Sequence, residues 1–167
     1  MRLPGPARLS ATVAIALVLL AGCGGGTDKE APLLTRSSSD ASQQVQTYFR
    51  GVAATVTGQQ EHGKQVGLGP APCEGRAGET ATDDRYYIQG TYDLPFTADR
   101  DQHTVFQTLH DTWKAQGYEF TEPLNKLPSG DWSLTARNPT DGYKISVTGY
   151  DHILRLLIFS PCYLPPR

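Results

Sequence analysis

The sequence predicts a small α+β domain, a two-layer sandwich in which two helices cover one face of an antiparallel meander of about four to five strands. Two apolar stripes with helical spacing predict the helices, and several short segments with alternating apolar residues predict the strands. Tight turns between these segments favour antiparallel neighbours. The expected order is α-β-α-β-β-β-β.

The first helix is predicted over residues 42–57, and Gly58 is its expected stop. Its apolar stripe consists of Val45, Tyr48, Phe49, Val52 and Val56. Residues 59–82 are rich in glycine and proline, so a long loop is expected there. The loop does not fit a phosphate-binding motif, because Gly63-Lys64 is followed by glutamine rather than by serine or threonine.

The second helix is predicted from Thr97, as N-cap, to about Gln116, after a strand over residues 85–93. Its buried stripe is expected to consist of Gln102, Val105, Phe106, Leu109 and Trp113. Four further strands are predicted over residues 118–122, 131–136, 143–147 and 153–159. The last of these is the most apolar and is expected to be central in the sheet.

Residues 1–22 have the organisation of a secretory signal, with Arg2 and Arg8 as the only charges and an apolar run over residues 11–20. That run is shorter than the ~20 residues that span a bilayer. The run ends in Leu-Ala-Gly followed directly by Cys23. This pattern resembles bacterial lipoprotein precursors, whereas an ordinary secreted protein needs no cysteine at this position.

The resemblance implies cleavage before Cys23, a diacylglyceryl group on its sulfur, and its new amine as a further acylation site. Two or three acyl chains would anchor the protein stably to the outer face of the cell membrane. Residues 23–41 are then expected to be a flexible tether, and residues 42–167 a single globular domain.

The charge of the mature chain excludes some partners. Loss of Arg2 and Arg8 changes the formal net charge from −2 to −4, which gives no basic footprint for nucleic acid. No polybasic segment is present to bind anionic lipid. We therefore expect membrane contact through the lipid at Cys23 alone.

With Cys23 assigned to the lipid, Cys73 and Cys162 remain as a pair in an exported, oxidising setting. They are expected to form a structural disulfide. The alternative is a reactive redox pair, but no C-x-x-C motif is present.

No catalytic residue, metal site or cofactor is predicted. His103 and His110 lie seven residues apart, whereas two helical histidines chelate best four residues apart, and no third ligand is in register. No G-x-S-x-G motif marks a nucleophile, and the carboxylates are explained by capping and by solvation. The chain is therefore expected not to be an enzyme.

Aromatic residues are concentrated on the predicted strands. Those considered as binding residues are Tyr86, Tyr87, Tyr92, Trp132 and Tyr143. Alternation places some of them on the face away from the helices, where they could contact a cell-envelope protein, a glycan or a lipid. The alternative is that they are half-buried tyrosines of an ordinary sheet.

Several segments together resemble small, uncharacterised cell-envelope lipoproteins of high-GC Gram-positive bacteria, of the LppA-like mycobacterial kind. Besides the signal and tether, they are P-C-E-G at 72–75, Y-Y-I-Q-G-T-Y at 86–92, L-x-x-x-W-x-x-x-G-Y at 109–118 and S-P-C-Y at 160–163. The resemblance implies no activity. The expected function is a membrane-anchored binding or accessory module. The alternatives are a carrier of a lipid or small apolar ligand between helices and sheet and, more weakly, an enzyme of unknown class.

Overall fold

Among the residues that the structure describes, two helices and eight strands form an α+β fold, which confirms the predicted class. The structure is a computed structural model and describes residues 34–74, 81, 83–97 and 99–167. The predicted signal peptide, Cys23 and the tether up to residue 33 lie outside this range. None of the described helices combines the length and apolar character that crossing a membrane requires.

The helices are α1 (Ser38–Thr57) and α2 (Gln102–Ala115). The strands are β1 (Leu34–Thr35), β2 (Lys64–Pro72), β3 (Tyr86–Pro95), β4 (Glu119–Lys126), β5 (Trp132–Arg137), β6 (Lys144–Tyr150), β7 (Ile153–Phe159) and β8 (Tyr163–Leu164). Their order across the sheet is β1-β8-β3-β7-β6-β5-β4, and β2 pairs with the remaining side of β3. The β1–β8 pair is parallel and the other pairs are antiparallel.

The sheet is therefore larger than the predicted four to five strands, and β2 is one reason. The sequence predicts a loop over residues 59–82, but Lys64–Pro72 pair with β3 along nearly its whole length. The glycines and prolines of β2 indicate a loop, because both residue types are depleted in strands. Its prolines are tolerated because, among the described strands, β2 pairs with β3 alone.

The two shortest strands are the other reason. β1 and β8 have two residues each, which is too short for any periodicity to show. Their pairing brings Leu34 and Thr35, which the sequence assigns to the tether, into the fold. Helix α1 also begins earlier than predicted, because the Ser37 hydroxyl accepts a hydrogen bond from the Asp40 amide at 3.0 Å.

Helix α1 buries one stripe against the sheet and ends where the sequence predicts, at Gly58, which adopts φ 75°. Helix α2 is capped by Asp101, whose side chain accepts from the Thr104 amide, rather than by Thr97. Its buried residues are Val105, Phe106, Leu109 and Trp113. Gln102 is not part of that stripe: its side-chain oxygen accepts from the Trp132 amide at 2.7 Å, and so links α2 to the start of β5.

One cluster of buried side chains fills the layer between the helices and the sheet. Phe49 of α1 stacks on Tyr92 of β3, with ring centroids 4.2 Å apart, and Tyr48 stacks on Tyr143 at 5.1 Å. Both helices contribute to this cluster, so both cover the same face of the sheet.

The disulfide between Cys73 and Cys162 is present and confirms the predicted pairing. It joins the residue that follows β2 to the connection between β7 and β8, across 89 positions of the chain. The edge strand β2 is thereby linked covalently to the end of the central strand.

Candidate functional site

The face of the sheet away from the helices is the first candidate site, and no described helix covers it. Its side chains alternate along β3, β6 and β7 with those of the buried cluster. We call this surface the open face; its central residues are Tyr87, Thr91 and Asp93 of β3, Lys144, Ser146, Thr148 and Tyr150 of β6, and Ile153, Arg155, Leu157 and Phe159 of β7.

An apolar row runs along the open face. Tyr87 and Phe159 are in ring contact at 6.2 Å, and Leu157 follows on the same side of β7. Arg155 separates Leu157 from the end of the row. That end consists of Tyr150 and Ile153, which pair across the β6–β7 turn and are 50% and 41% exposed. Two large apolar side chains are thus left in solvent on one exposed surface.

Cations lie over the rings of this row. The Lys144 ammonium is 5.5 Å from the Phe159 ring centroid, and the Arg155 guanidinium is 5.7 Å from that of Tyr150. Arg155 also donates two hydrogen bonds to Asp93, at 2.9 and 3.1 Å, and this interaction lowers the Asp93 pKa. Asp93 therefore positions the Arg155 guanidinium beside the apolar row.

Hydroxyl groups border the row on the β5 side. The Thr135 hydroxyl lies 3.1 Å from that of Ser146 and 3.0 Å from a Glu122 carboxylate oxygen. Thr135 is almost fully buried although it faces away from the helices. The open face therefore combines an apolar row with a polar margin.

The structure does not bring the five predicted aromatics together. Tyr87 lies on the open face, whereas Tyr86, Tyr92, Trp132 and Tyr143 lie on the helix side. Tyr92 and Tyr143 are 1% and 0% exposed, and Trp132 packs against His103 of α2 at 4.4 Å. Tyr86 and Tyr92 lie an even number of positions from Ile88, so all three share one face of the strand. An apolar Ile88 could therefore have assigned both tyrosines to the core side.

Sequence reasoning missed most of the open-face row. Residues 153–159 are apolar at nearly every position, which is typical of a strand covered on both faces. For that reason the sequence does not indicate that Ile153, Leu157 and Phe159 face the surface.

The histidines of α2 do not form a metal site with the described residues around them. His103 stacks on Trp132, and His110 stacks on Phe120 at 4.6 Å and contacts Asp111 at 2.9 Å. Both rings pack against aromatic neighbours on β4 and β5.

A cluster of tyrosines around Arg36 fixes the beginning of the described chain. The Arg36 guanidinium donates to the hydroxyls of Tyr163, at 3.3 Å, and Tyr143, at 3.4 Å, while Tyr86 donates to the Arg36 carbonyl. Burial raises the pKa of Tyr143 well above its ordinary value. These contacts hold the segment that leads into α1 against the sheet.

A second candidate site lies between α1 and the edge strand β2. It is a polar pocket of about 230 Å³, which we call the α1–β2 pocket. Its lining residues are Gln46, Phe49, Arg50, Glu61, Gly63, Gln65 and Tyr92. Arg50 and Glu61 form an ion pair at 3.1 Å, with side chains 48% and 81% exposed.

A larger pocket of about 420 Å³ opens at the end of α1, where Val56, Pro95 and Phe96 form apolar walls. His62 and Arg100 also line it. Arg100 donates to the Val56 carbonyl at 2.6 Å and so satisfies the carboxyl end of the helix. The Arg100 guanidinium therefore already has a hydrogen-bond partner at the end of α1.

Comparison with known proteins assigns neither a family nor a function to this chain. No family model and no curated protein matches the sequence. Among solved structures, the chain is similar to a DUF4853 family protein from Actinomyces odontolyticus ATCC 17982, with a TM-score of 0.47 and 10% sequence identity. The match covers 81% of this chain and 76% of that protein. Similarity at this level assigns no family.

Proposed function

We propose that this chain is a lipid-anchored, non-enzymatic binding module of the cell envelope, which holds a protein partner against its open face. The observation that carries the proposal is the apolar row, which ends in the exposed side chains of Tyr150 and Ile153. An apolar core bordered by polar groups and by arginine is the usual composition of a protein interface.

The cations over the aromatic rings favour a protein over a glycan as the partner. A sugar stacks on an uncovered ring face, but Lys144 lies over one face of Phe159 and Arg155 over one face of Tyr150. The stems of these long side chains add apolar surface at the edge of the row, which suits a protein partner.

A carrier of apolar ligands is supported less well. The middle of the layer between helices and sheet is filled by the buried cluster and by the ring stack of Phe49 on Tyr92. The apolar-walled pocket of about 420 Å³ opens at the end of α1. The open face provides binding surface without any rearrangement of that core.

The anchor would keep the module close to the membrane. Cys23 and Leu34 are eleven positions apart in the sequence, a distance of at most about 40 Å for an extended chain. A partner of the open face would therefore be a membrane protein or a protein held near the membrane surface.

The anchor is tested by mass spectrometry of the mature protein isolated from membranes. We expect cleavage before Cys23 and the mass of a diacylglyceryl group on that residue, and we expect Cys23→Ala to leave the membrane fraction. An unmodified Cys23 in the membrane-associated protein would overturn the anchor.

The binding surface is tested by photo-crosslinking in the native envelope, with a benzophenone side chain introduced at single positions. Tyr150 and Ile153 are the test positions, and Leu34, which is 68% exposed on β1, is the matched control. We expect a discrete adduct from the two test positions and none from position 34. Equal adducts from all three positions, or none, would overturn the proposal.

A further inference from the structure

The β6–β7 turn carries Tyr150 and Ile153, the exposed pair at the end of the apolar row. Of the described residues other than glycine, Asp151 in this turn alone has a positive φ, at 51°. Residues with a side chain rarely adopt this left-handed conformation. It persists where the surrounding contacts hold it in place. The shape of the turn therefore depends on what packs against it.

Gln102, the first residue of α2, contacts the turn from the helix side. Its side-chain nitrogen donates to the Asp151 carbonyl at 3.3 Å, while its side-chain oxygen accepts from the Trp132 amide at 2.7 Å. The same carboxamide lies directly over Gly149, where a Cβ would collide with its terminal atoms. Glycine at position 149 therefore leaves the space through which Gln102 reaches the turn.

The connection between β3 and α2 supports the turn from the same side. The Phe96 amide donates to the His152 carbonyl at 2.9 Å, and the two rings meet edge-on with centroids 5.7 Å apart. Phe96 belongs to the buried cluster. The carbonyls of Asp151 and His152, the two central residues of the turn, are thus both bonded to the helix layer.

Arg155 supports the exposed pair on the open face. Its guanidinium lies 5.7 Å from the Tyr150 ring centroid and donates two hydrogen bonds to Asp93. Tyr150 in turn pairs with Ile153 across the turn. The two apolar side chains are therefore presented from a turn that is already ordered without a partner, which reduces the conformational entropy lost on binding.

We propose that the partner of the open face binds the Tyr150–Ile153 pair as a rigid, pre-formed unit, and that Gln102 is the positioning residue that holds it. This inference rests on the function proposed for the open face. Gln102 belongs to the helix layer on the covered side of the sheet, so it acts through the turn rather than by touching the partner. Loss of its bond to the turn should raise the entropic cost of binding.

Two substitutions separate the contacts of Gln102. Gln102→Glu keeps an oxygen for the Trp132 amide but removes the donor to the Asp151 carbonyl. It also places a negative charge beside the Asp131 carboxylate, which lies 3.5 Å from the amide nitrogen in the parent protein. Gln102→Met retains the unbranched shape of the side chain and removes both hydrogen bonds. The first variant thus releases the turn while it keeps the link from α2 to β5.

Amide hydrogen exchange of the purified full-length protein, in detergent, measures the order of the turn without a partner. The Phe96 amide reports on it, because this amide donates to the His152 carbonyl. We expect it to exchange about tenfold faster in both Gln102 variants, while the Trp132 amide stays protected in Gln102→Glu. Amides in the middle of β6 should not change, which separates release of the turn from general destabilisation. Unchanged exchange at Phe96 in both variants would overturn the inference.

Gln107→Met is the matched control for both measurements. Gln107 lies on the same helix, and its side chain donates to Asp111 one turn further along α2, away from the β6–β7 turn. The Phe96 amide of this variant should exchange as it does in the parent.

Photo-crosslinking in the native envelope measures the effect on binding. With the benzophenone at position 153, we expect about fivefold less adduct in the Gln102→Glu protein and an unchanged amount in Gln107→Met. Faster exchange at Phe96 together with an undiminished adduct would overturn the inference and leave the proposed function standing. No adduct from the protein with Gln102 intact would overturn the proposed function, and the inference with it.

Discussion

The Tyr48 hydroxyl donates to the Asp141 carboxylate at 2.8 Å, and so joins α1 to the β5–β6 turn. Asn138 donates to the same hydroxyl at 2.7 Å. Burial and the Asp141 carboxylate both raise the Tyr48 pKa. Tyr48 and Tyr92 are thus two phenols at the helix–sheet interface, one fully hydrogen-bonded and one without a partner among the described residues.

Removal of these two hydroxyls should have different effects. Tyr48→Phe leaves Asn138 and Asp141 without their partner and should reduce the free energy of unfolding by about 1–3 kcal/mol. Tyr92→Phe removes a group without a partner and should leave the free energy of unfolding unchanged or slightly increased. Urea unfolding of both variants checks this, and an equal loss in both would contradict the difference in hydrogen bonding between the two hydroxyls.

The buried phenols predict a loss of stability in alkali. An unfolded tyrosine releases its proton near pH 10, whereas folded Tyr92 retains it up to about pH 12. Between these values the folded state binds more protons than the unfolded state, so the free energy of unfolding falls as the pH rises. Below pH 10 the contribution of Tyr92 to the free energy of unfolding does not change with pH. Urea unfolding at several pH values checks this. In the Tyr92→Phe variant, the free energy of unfolding should depend less strongly on pH.

Gly90 should not tolerate a side chain. Gly90→Ala would place a Cβ against Val45 and the Tyr92 ring, and we expect a loss of about 1–3 kcal/mol in the free energy of unfolding. Gly69→Ala on the neighbouring β2 is the matched control, because no atom lies within 4 Å of its added Cβ. Similar losses in the two variants would contradict the packing described for Tyr92.

The disulfide should contribute strongly to stability. Replacing both Cys73 and Cys162 with alanine releases a closed loop of 89 positions, and we expect a loss of about 2–5 kcal/mol. Reductant should likewise lower the thermal unfolding temperature of the parent protein. A double variant as stable as the parent would show that β2 is held by its pairing with β3 alone.

The sequence predicts the helices well because their apolar stripes directly reflect burial. The stripe that begins at Val45 packs as predicted, and so does the one that ends at Trp113, except for Gln102. Strand β2 could not be predicted, since an edge strand of glycine and proline depends on pairing with β3 rather than on its own side chains. Strand β8 could not be predicted either, because two residues are too few to show a period.

The candidate sites were harder to predict than the fold. Alternation shows which strand residues share a face, but which face is covered depends on where the helices pack. Phe159 and Leu157 therefore read as core residues, although they lie on the open face. The α1–β2 pocket depends on a strand that the sequence does not indicate, so neither its polar lining nor the unpartnered Tyr92 hydroxyl could be foreseen.

The most direct test of the open-face proposal is the dissociation constant of the crosslinked partner, measured with purified proteins. Tyr150→Ser and Ile153→Ser remove exposed apolar side chains from the end of the row, and we expect each to weaken binding about tenfold or more. Leu34→Ser removes a side chain that is even more exposed, at 68%, but lies on β1, and it should leave the constant unchanged. Equal binding by all three variants and the parent would contradict the account.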